Sequence, residues 1–177
     1  MKPDQSKGIE IFVDADFAGN WNKSEADDID TACSRHGYVI KYMGCPVVWK
    51  SQLQQEIALS STESEYTGLL YALRDAIPIM GLLKEMKNFG FIDKYEHPHV
   101  YCKVCEDNSG ALEMAKIHKY RPRTKHINGK LHHFRDYVDK GETSIHPIGT
   151  DDQEADYLTK PVPLDTFKKL RRKVMRW

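Results

Sequence analysis

The sequence predicts an α/β fold: a five-stranded mixed sheet, an antiparallel meander of three strands followed by parallel strands, with helices on both faces. Three observations predict it. Ile9 to Asp16 and His99 to Ser109 alternate β-branched or aromatic residues with period two, as strands do, and carry Asp14 and Asp107 near their ends. Gly37 to Met43 and Pro46 to Ser51 are two further strand-like runs separated by Gly44-Cys45, which suits an antiparallel hairpin. A long helical period then separates this meander from the later strands.

Ile9, Ile11 and Val13 alternate with Glu10 and Phe12, so the first strand is expected to be covered on both faces and central. Phe17 to Arg35 is polar and acidic without periodicity and reads as a solvated loop. Ser60-Ser-Thr-Glu63 is a capping box, followed by Leu69, Leu70, Ala72, Leu73 and Ala76 at helical spacing. A continuous helix from Ser61 to Phe89 would be about 43 Å long. Pro78 interrupts it, so two helices are expected, the second starting at the proline and stopping near Gly90. After the strand from His99 come a helix from about Asn108 to His118 and a short strand from Thr143 to Ile148. Thr150-Asp-Asp-Gln153 reads as a second capping box opening the helix that carries Asp156, ended by Pro161 and Pro163. Leu164 to Trp177 is a basic amphipathic segment with Phe167, Leu170 and Val174 at helical spacing, suited to packing on this domain or on a neighbouring one.

The 177 residues suit one domain with a modest extension, and a formal net charge of zero excludes a basic coat protein. No apolar run approaches the length of a membrane span, and Met1 to Lys7 is polar, so the expectation is an intracellular protein (cytoplasmic particle or nucleus) that is not secreted. That polar start looks like the exposed end of a domain cut from a longer chain. Cys102 and Cys105 tempt toward zinc, but no second ligand pair stands at finger spacing, and strand residues three apart point to opposite faces. Met114 to Arg135 holds Lys116, Lys119, Arg121, Arg123, Lys125, Lys130 and Arg135 without one acid, with His118, His126, His132 and His133 between them. A single-sign run in a neutral chain points to an anion or nucleic acid.

Parallel neighbours would put Asp14 and Asp107 about 4.8 Å apart by strand spacing. That is close to the metal separation of a two-metal phosphoryl-transfer centre, about 3.5–4 Å. The Ser60 helix would open near that edge with Glu63 or Glu65, and the last helix would bring Asp156.

With these elements in place the sequence resembles the ribonuclease H domain of copia-type retrotransposon Pol polyproteins. The resemblance rests on Val-Asp-Ala-Asp-Phe-Ala-Gly (13–19), Val-Val-Trp-Lys-Ser-Gln-Leu-Gln (47–54) and Ala-Leu-Ser-Ser-Thr-Glu-Ser-Glu-Tyr (58–66). Glu-Asp-Asn-Ser-Gly-Ala-Leu (106–112), Arg-Thr-Lys-His-Ile (123–127) and Asp-Gln-Glu-Ala-Asp-Tyr-Leu-Thr-Lys-Pro (152–161) continue it in order, from about Ile9 to Pro163. It implies a ribonuclease H-like fold with a flexible tail at 1–8, a catalytic domain at 9–163 and a basic C-terminal helix at 164–177.

It also implies a metal-dependent ribonuclease that cuts the RNA strand of RNA/DNA hybrids during reverse transcription. Two Mg²⁺, replaceable by Mn²⁺, would be held by Asp14, Glu65, Asp107 and Asp156. Glu65 takes the second place because Glu63 serves the cap, whereas Glu65 shares the face of Leu69, Ala72 and Leu73. Asn108 and Ser109 would meet 2′-hydroxyls, and Arg121, Arg123, Lys125 and His126 would hold phosphates. Family members often place a histidine on the loop before the last acid to help product leave. His146 is the candidate helper, although Ile145 and Ile148 beside it suggest a strand. An adjacent reverse transcriptase domain is the implied partner. The alternative is a non-catalytic or co-opted nucleic-acid-binding module on the same fold, against which the presence of all four acids argues.

Overall fold

The computed structural model describes residues 2–4, 6–25, 27–91, 101–116 and 134–176. Its sheet has five strands in the order β3-β2-β1-β4-β5: β1 (Ile9–Asp16), β2 (Arg35–Tyr42), β3 (Cys45–Leu53), β4 (Cys102–Glu106) and β5 (Thr143–Pro147). β1 is central, antiparallel to β2 and parallel to β4, and β4 runs parallel to β5. The mixed five-stranded sheet of the sequence reading is therefore the observed one. The hairpin turn sits at Met43-Gly44, one residue earlier than expected, with Cys45 already paired to Tyr42. Both turn residues have positive φ, 52° and 71°, as the tight two-residue hairpin turn that follows the strand twist requires.

The helices are α1 (Ile29–Ala32), α2 (Ser61–Asn88), α3 (Ser109–Lys116), α4 (residues 134–139), α5 (Asp156–Thr159) and α6 (Leu164–Met175). One face of the sheet offers Ile9, Ile11, Val13, Tyr38, Ile40, Val104 and Ile145 to Tyr66, Leu69, Ala72, Leu73, Ala76 and Met80 of α2. Ala111 and Ala115 of α3 and Phe134 of α4 close this main core. Phe12, Cys105 and Ala155 form a smaller cluster. Cys102 lies in the main core and Cys105 in the smaller cluster, and all four cysteines are free.

Three sequence expectations need correcting. α2 is one helix of 28 residues, about 42 Å long at 1.5 Å per residue, with Pro78 inside it. Pro78 and Arg74 both lie on the exposed face, so the Arg74 carbonyl left without its amide partner can be hydrated. Met80 and Leu83 beyond the proline remain buried, and that packing carries the helix through. The Thr150 capping box is absent. Thr150–Asp152 is a single 3₁₀ turn without a side-chain cap, because Gln153 turns inward and bonds the sheet. The loop expected from Phe17 to Arg35 is mostly exposed but contains α1, capped by Asp28, whose carboxylate accepts the Asp30 amide at 3.0 Å.

The Ser60 cap is present: its Oγ accepts the Glu63 amide at 3.1 Å. Glu63 Oε2 reaches back to the Leu59 amide at 2.9 Å rather than to that of Ser60. α6 packs on its own chain through buried Leu170 and Val174, with Phe167 edge-on to Tyr157 of α5. Among the described residues no helix is long and apolar enough to cross a membrane.

Candidate active site

β1 and β4 pair only as far as Phe12 and Cys105, and beyond that the strands have no ladder bonds. The side-chain amide of Gln153 takes over at this point, donating to the Val13 carbonyl at 2.8 Å and reaching the Cys105 carbonyl at 3.5 Å. The chain ends that follow, Asp14 on one strand and Asp107 after the other, are thus held at a fixed spacing. On β2, Gly37 stands opposite Asp14, and a Cβ there would lie 2.7 Å from Leu158 Cβ and 2.9 Å from Thr159 Cγ2. The missing side chain lets α5 lie close against the sheet.

Side chains of Asp14, Glu65 and Asp107 meet in this space, each offering a carboxylate oxygen within 4.8 Å of the others. Asp14 is 2% exposed, accepts the hydroxyl of Thr159, and lies 3.7 Å from Lys160 Nζ. Burial pushes its pKa up to about 6, against the pull of Thr159 and Lys160. Glu65, in the second turn of α2, accepts the Ala15 amide, while its Oε2 is buried without a protein partner. Burial, then the charges of Glu106, Asp14 and Asp107, push its pKa up to about 10. Asp156 opens α5, is 5% exposed and lies 3.1 Å from Lys160 Nζ. Burial raises its pKa, and Lys160 opposes the rise.

An all-oxygen cluster with a buried, unpartnered carboxylate oxygen suits a hard divalent cation, which would supply the missing partner. Without one, these acids cannot all stay ionised.

The other sequence candidates fall elsewhere. Asn108 uses its side-chain oxygen to accept the Ala111 amide at 3.0 Å, capping α3, and Ser109 is exposed beside it. His146 lies inside β5, not on a loop, with Nε2 at 2.5 Å from Ser144 Oγ and 3.4 Å from Tyr101 Oη. This is the strand that Ile145 and Ile148 suggest, and the strand ladder and these two hydroxyls hold the ring. Arg121, Arg123, Lys125 and His126 lie outside the described residues.

Sequence reasoning missed four residues that touch the cluster or its frame: Glu106, Gln153, Thr159 and Lys160. Glu106 is fully buried, with Oε1 accepting the Asn108 amide at 3.0 Å and its pKa pushed up to about 8, chiefly by burial. Its signal was parity, since it shares the inward face of Cys102 and Val104 on β4. Lys160 stands four residues after Asp156, the spacing at which helical side chains meet.

No family model matches the chain. It is 34% identical over 157 residues to the retrovirus-related Pol polyprotein from transposon TNT 1-94 of Nicotiana tabacum, covering 89% of this chain and 10% of the polyprotein. The corresponding polyprotein from transposon RE2 of Arabidopsis thaliana is 30% identical over 174 residues, 98% of this chain and 11% of that protein. The chain therefore spans about a tenth of the length of these relatives. Among solved structures, an RNase H1 isolated from compost superposes with a TM-score of 0.59 at 17% identity, covering 86% of this chain and 92% of that one. The same enzyme in complex with an RNA/DNA hybrid gives 0.54 at 18% identity, covering 85% and 93%. The N-terminal RNase H domain of a Mycobacterium tuberculosis protein gives 0.54 at 13% identity, covering 93% and 96%. With this fold and these relatives, the chain belongs to the retrovirus-related Pol polyproteins of transposons, as a segment with the ribonuclease H-like fold.

Proposed function

We propose that this chain is a ribonuclease H: it hydrolyses the RNA strand of an RNA/DNA hybrid, with two Mg²⁺, or Mn²⁺ in their place, held by Asp14, Glu65, Asp107 and Asp156. The observation that carries the reading is the convergence of Asp14, Glu65 and Asp107 oxygens within 4.8 Å, with Asp156 joined to Asp14 through Lys160. Bound divalent ions would lower the pKa of a water and stabilise the leaving oxygen. The chain's own part is to hold four carboxylates at fixed spacing. Gln153 sets the gap between the strands, Gly37 lets α5 approach, and the Ser60 cap fixes where α2 begins, and with it the placing of Glu65.

Ser109 and the amide of Asn108 left over from capping face the sugar side of a hybrid in this reading. The run with Arg121, Arg123, Lys125 and His126 would take phosphates of the other strand, which positions without reading sequence. The polyprotein relatives support a neighbouring reverse transcriptase domain as the partner that delivers the hybrid. The 9–163 segment is then the catalytic unit, with α6 (Leu164–Met175) docked on it.

Labelled RNA/DNA hybrid, single-stranded RNA and duplex DNA, each incubated with and without Mg²⁺, test the proposal on one gel. Cleavage confined to the RNA of the hybrid and dependent on Mg²⁺ is expected. Equal cutting of duplex DNA overturns the reading.

A further inference from the structure

A cation already sits against the cluster. The ammonium of Lys160 lies 3.1 Å from Asp156 Oδ1 and 3.7 Å from Asp14 Oδ1, so it bridges the two acids that α5 and β1 bring together. The two sides of the cluster are unequal. Toward Glu65 and Asp107, a buried carboxylate oxygen of Glu65 has no protein partner. Toward Asp156, Asp14 accepts the Thr159 hydroxyl, and the Lys160 ammonium stands beside Asp14 Oδ1 and beside Asp156 Oδ1, a buried oxygen that likewise has no hydrogen-bond partner. One side is open to an ion and the other is filled from within the chain.

We propose that Lys160 is a resident counter-ion: it fills the Asp14–Asp156 side of the site, and a divalent ion binding there must displace it. This rests on the nuclease reading above, and adds that the lysine sets the affinity of one ion independently of the other. Two features make displacement feasible. Lys160 follows the last turn of α5 with extended backbone, φ −138° and ψ 153°, so its side chain can swing without unwinding the helix. That side chain is also 36% exposed, and a four-carbon stem can carry the ammonium into water. The ammonium and a divalent ion repel at such spacing, so the same lysine that steadies the empty site weakens the second ion. Occupancy of that side then requires a higher divalent concentration than a bare carboxylate pair would.

The test uses hybrid-free protein, with calorimetric titration of Mn²⁺ and the thermal midpoint in chelator. Wild type is expected to bind in a tight and a weak step. In Lys160→Met the weak step tightens by about tenfold or more, since a like charge at contact distance is gone. The midpoint in chelator falls, because the acids lose their counter-ion. Lys160→Arg keeps the charge and leaves the weak step weak. Lys160→Gln gives the neutral comparison should Lys160→Met fail to fold. An unchanged weak step, or weaker binding in the neutral variants, overturns the proposal while leaving the nuclease reading standing. Wild-type protein that binds no divalent ion overturns that reading and this one together.

Discussion

At Glu63 a carboxylate oxygen accepts the Leu59 amide, while Glu65, about 200° further round the same helix, meets Asp14 and Asp107. Substitutions should separate these two tasks. Glu65→Gln is expected to lower turnover by orders of magnitude with hybrid binding retained, because one oxygen ligand is lost. Glu63→Gln should be mild, since an amide oxygen can also accept at the cap, whereas Glu63→Ala should cost about 1 kcal/mol of stability. Turnover and unfolding midpoints of the three variants read the pattern, and abolished cleavage in Glu63→Gln would move the site by two residues. Glu65 was legible because a cap fixes helix phase. Lys160 and Thr159 were not, because what they touch depends on how closely α5 approaches β1.

His36 offers a second test at this scale, outside the cluster. It is buried with both ring nitrogens unpartnered, stacked on Tyr71 at 4.4 Å. Burial, aided by the charges of Lys50 and Arg74, holds its pKa down to about 4. The unfolded chain takes up a proton below about pH 6.5, which the folded chain refuses until about 4, so stability falls as pH drops through that window. The loss approaches about 3 kcal/mol at the acid end. His36→Phe keeps the stack and removes the proton site. Denaturant unfolding of both proteins between pH 4 and 7 should show a gap in pH slope, and parallel curves would refute it.

Among the elements, α5 is the one whose placement decides the site, and Gly37 decides α5. In Gly37→Ala the new methyl would press on Leu158 and Thr159, pushing α5 outward and loosening the Thr159 contact to Asp14. Overpacking of this kind costs roughly 1–3 kcal/mol. A larger loss is expected in turnover at saturating hybrid than in hybrid affinity, measured by binding under chelator. The converse pattern would mean that α5 position matters to grip and not to chemistry. Two misreadings belong to this scale. Pro78 looked like a helix start because local propensity was weighed without the buried Met80 and Leu83 that hold the helix together beyond it. Gln153 looked like a capping residue because nothing local announces that two strands diverge beside it and need an amide between them.

At the scale of the molecule the sheet was readable almost in full. Period-two runs, a two-residue turn and a helical crossover leave few topologies open, and the observed order β3-β2-β1-β4-β5 is the one they favour. The docking of α6 was less readable, since an amphipathic segment carries no mark of which surface will receive Leu170 and Val174. The structure supplies that mark as an ion pair, Lys173 with Asp152 at 2.5 Å, beside the buried pair of Lys41 and Glu154. Lys41 also donates to the Lys173 carbonyl at 3.0 Å, so the end of α6 is tied to the sheet just where the chain approaches Asp156.

The pairing of Asp156, which opens α5, with Lys160, just past its end, has a consequence for how the chain folds. The meander closes over a two-residue turn and the loop 17–34, whereas Asp156 meets Asp14 across most of the chain, and contacts of such separation form late. The last segment to arrive would bring a fourth acid toward three others, an uphill docking if it came alone. It comes instead with its own lysine one turn away and so docks nearly neutral. Stopped-flow measurements on Lys160→Met in chelator should then show faster unfolding with refolding almost unchanged, the signature of a contact made after the transition state. A slowed refolding limb would mean that the acids converge early and that the lysine guides the search itself.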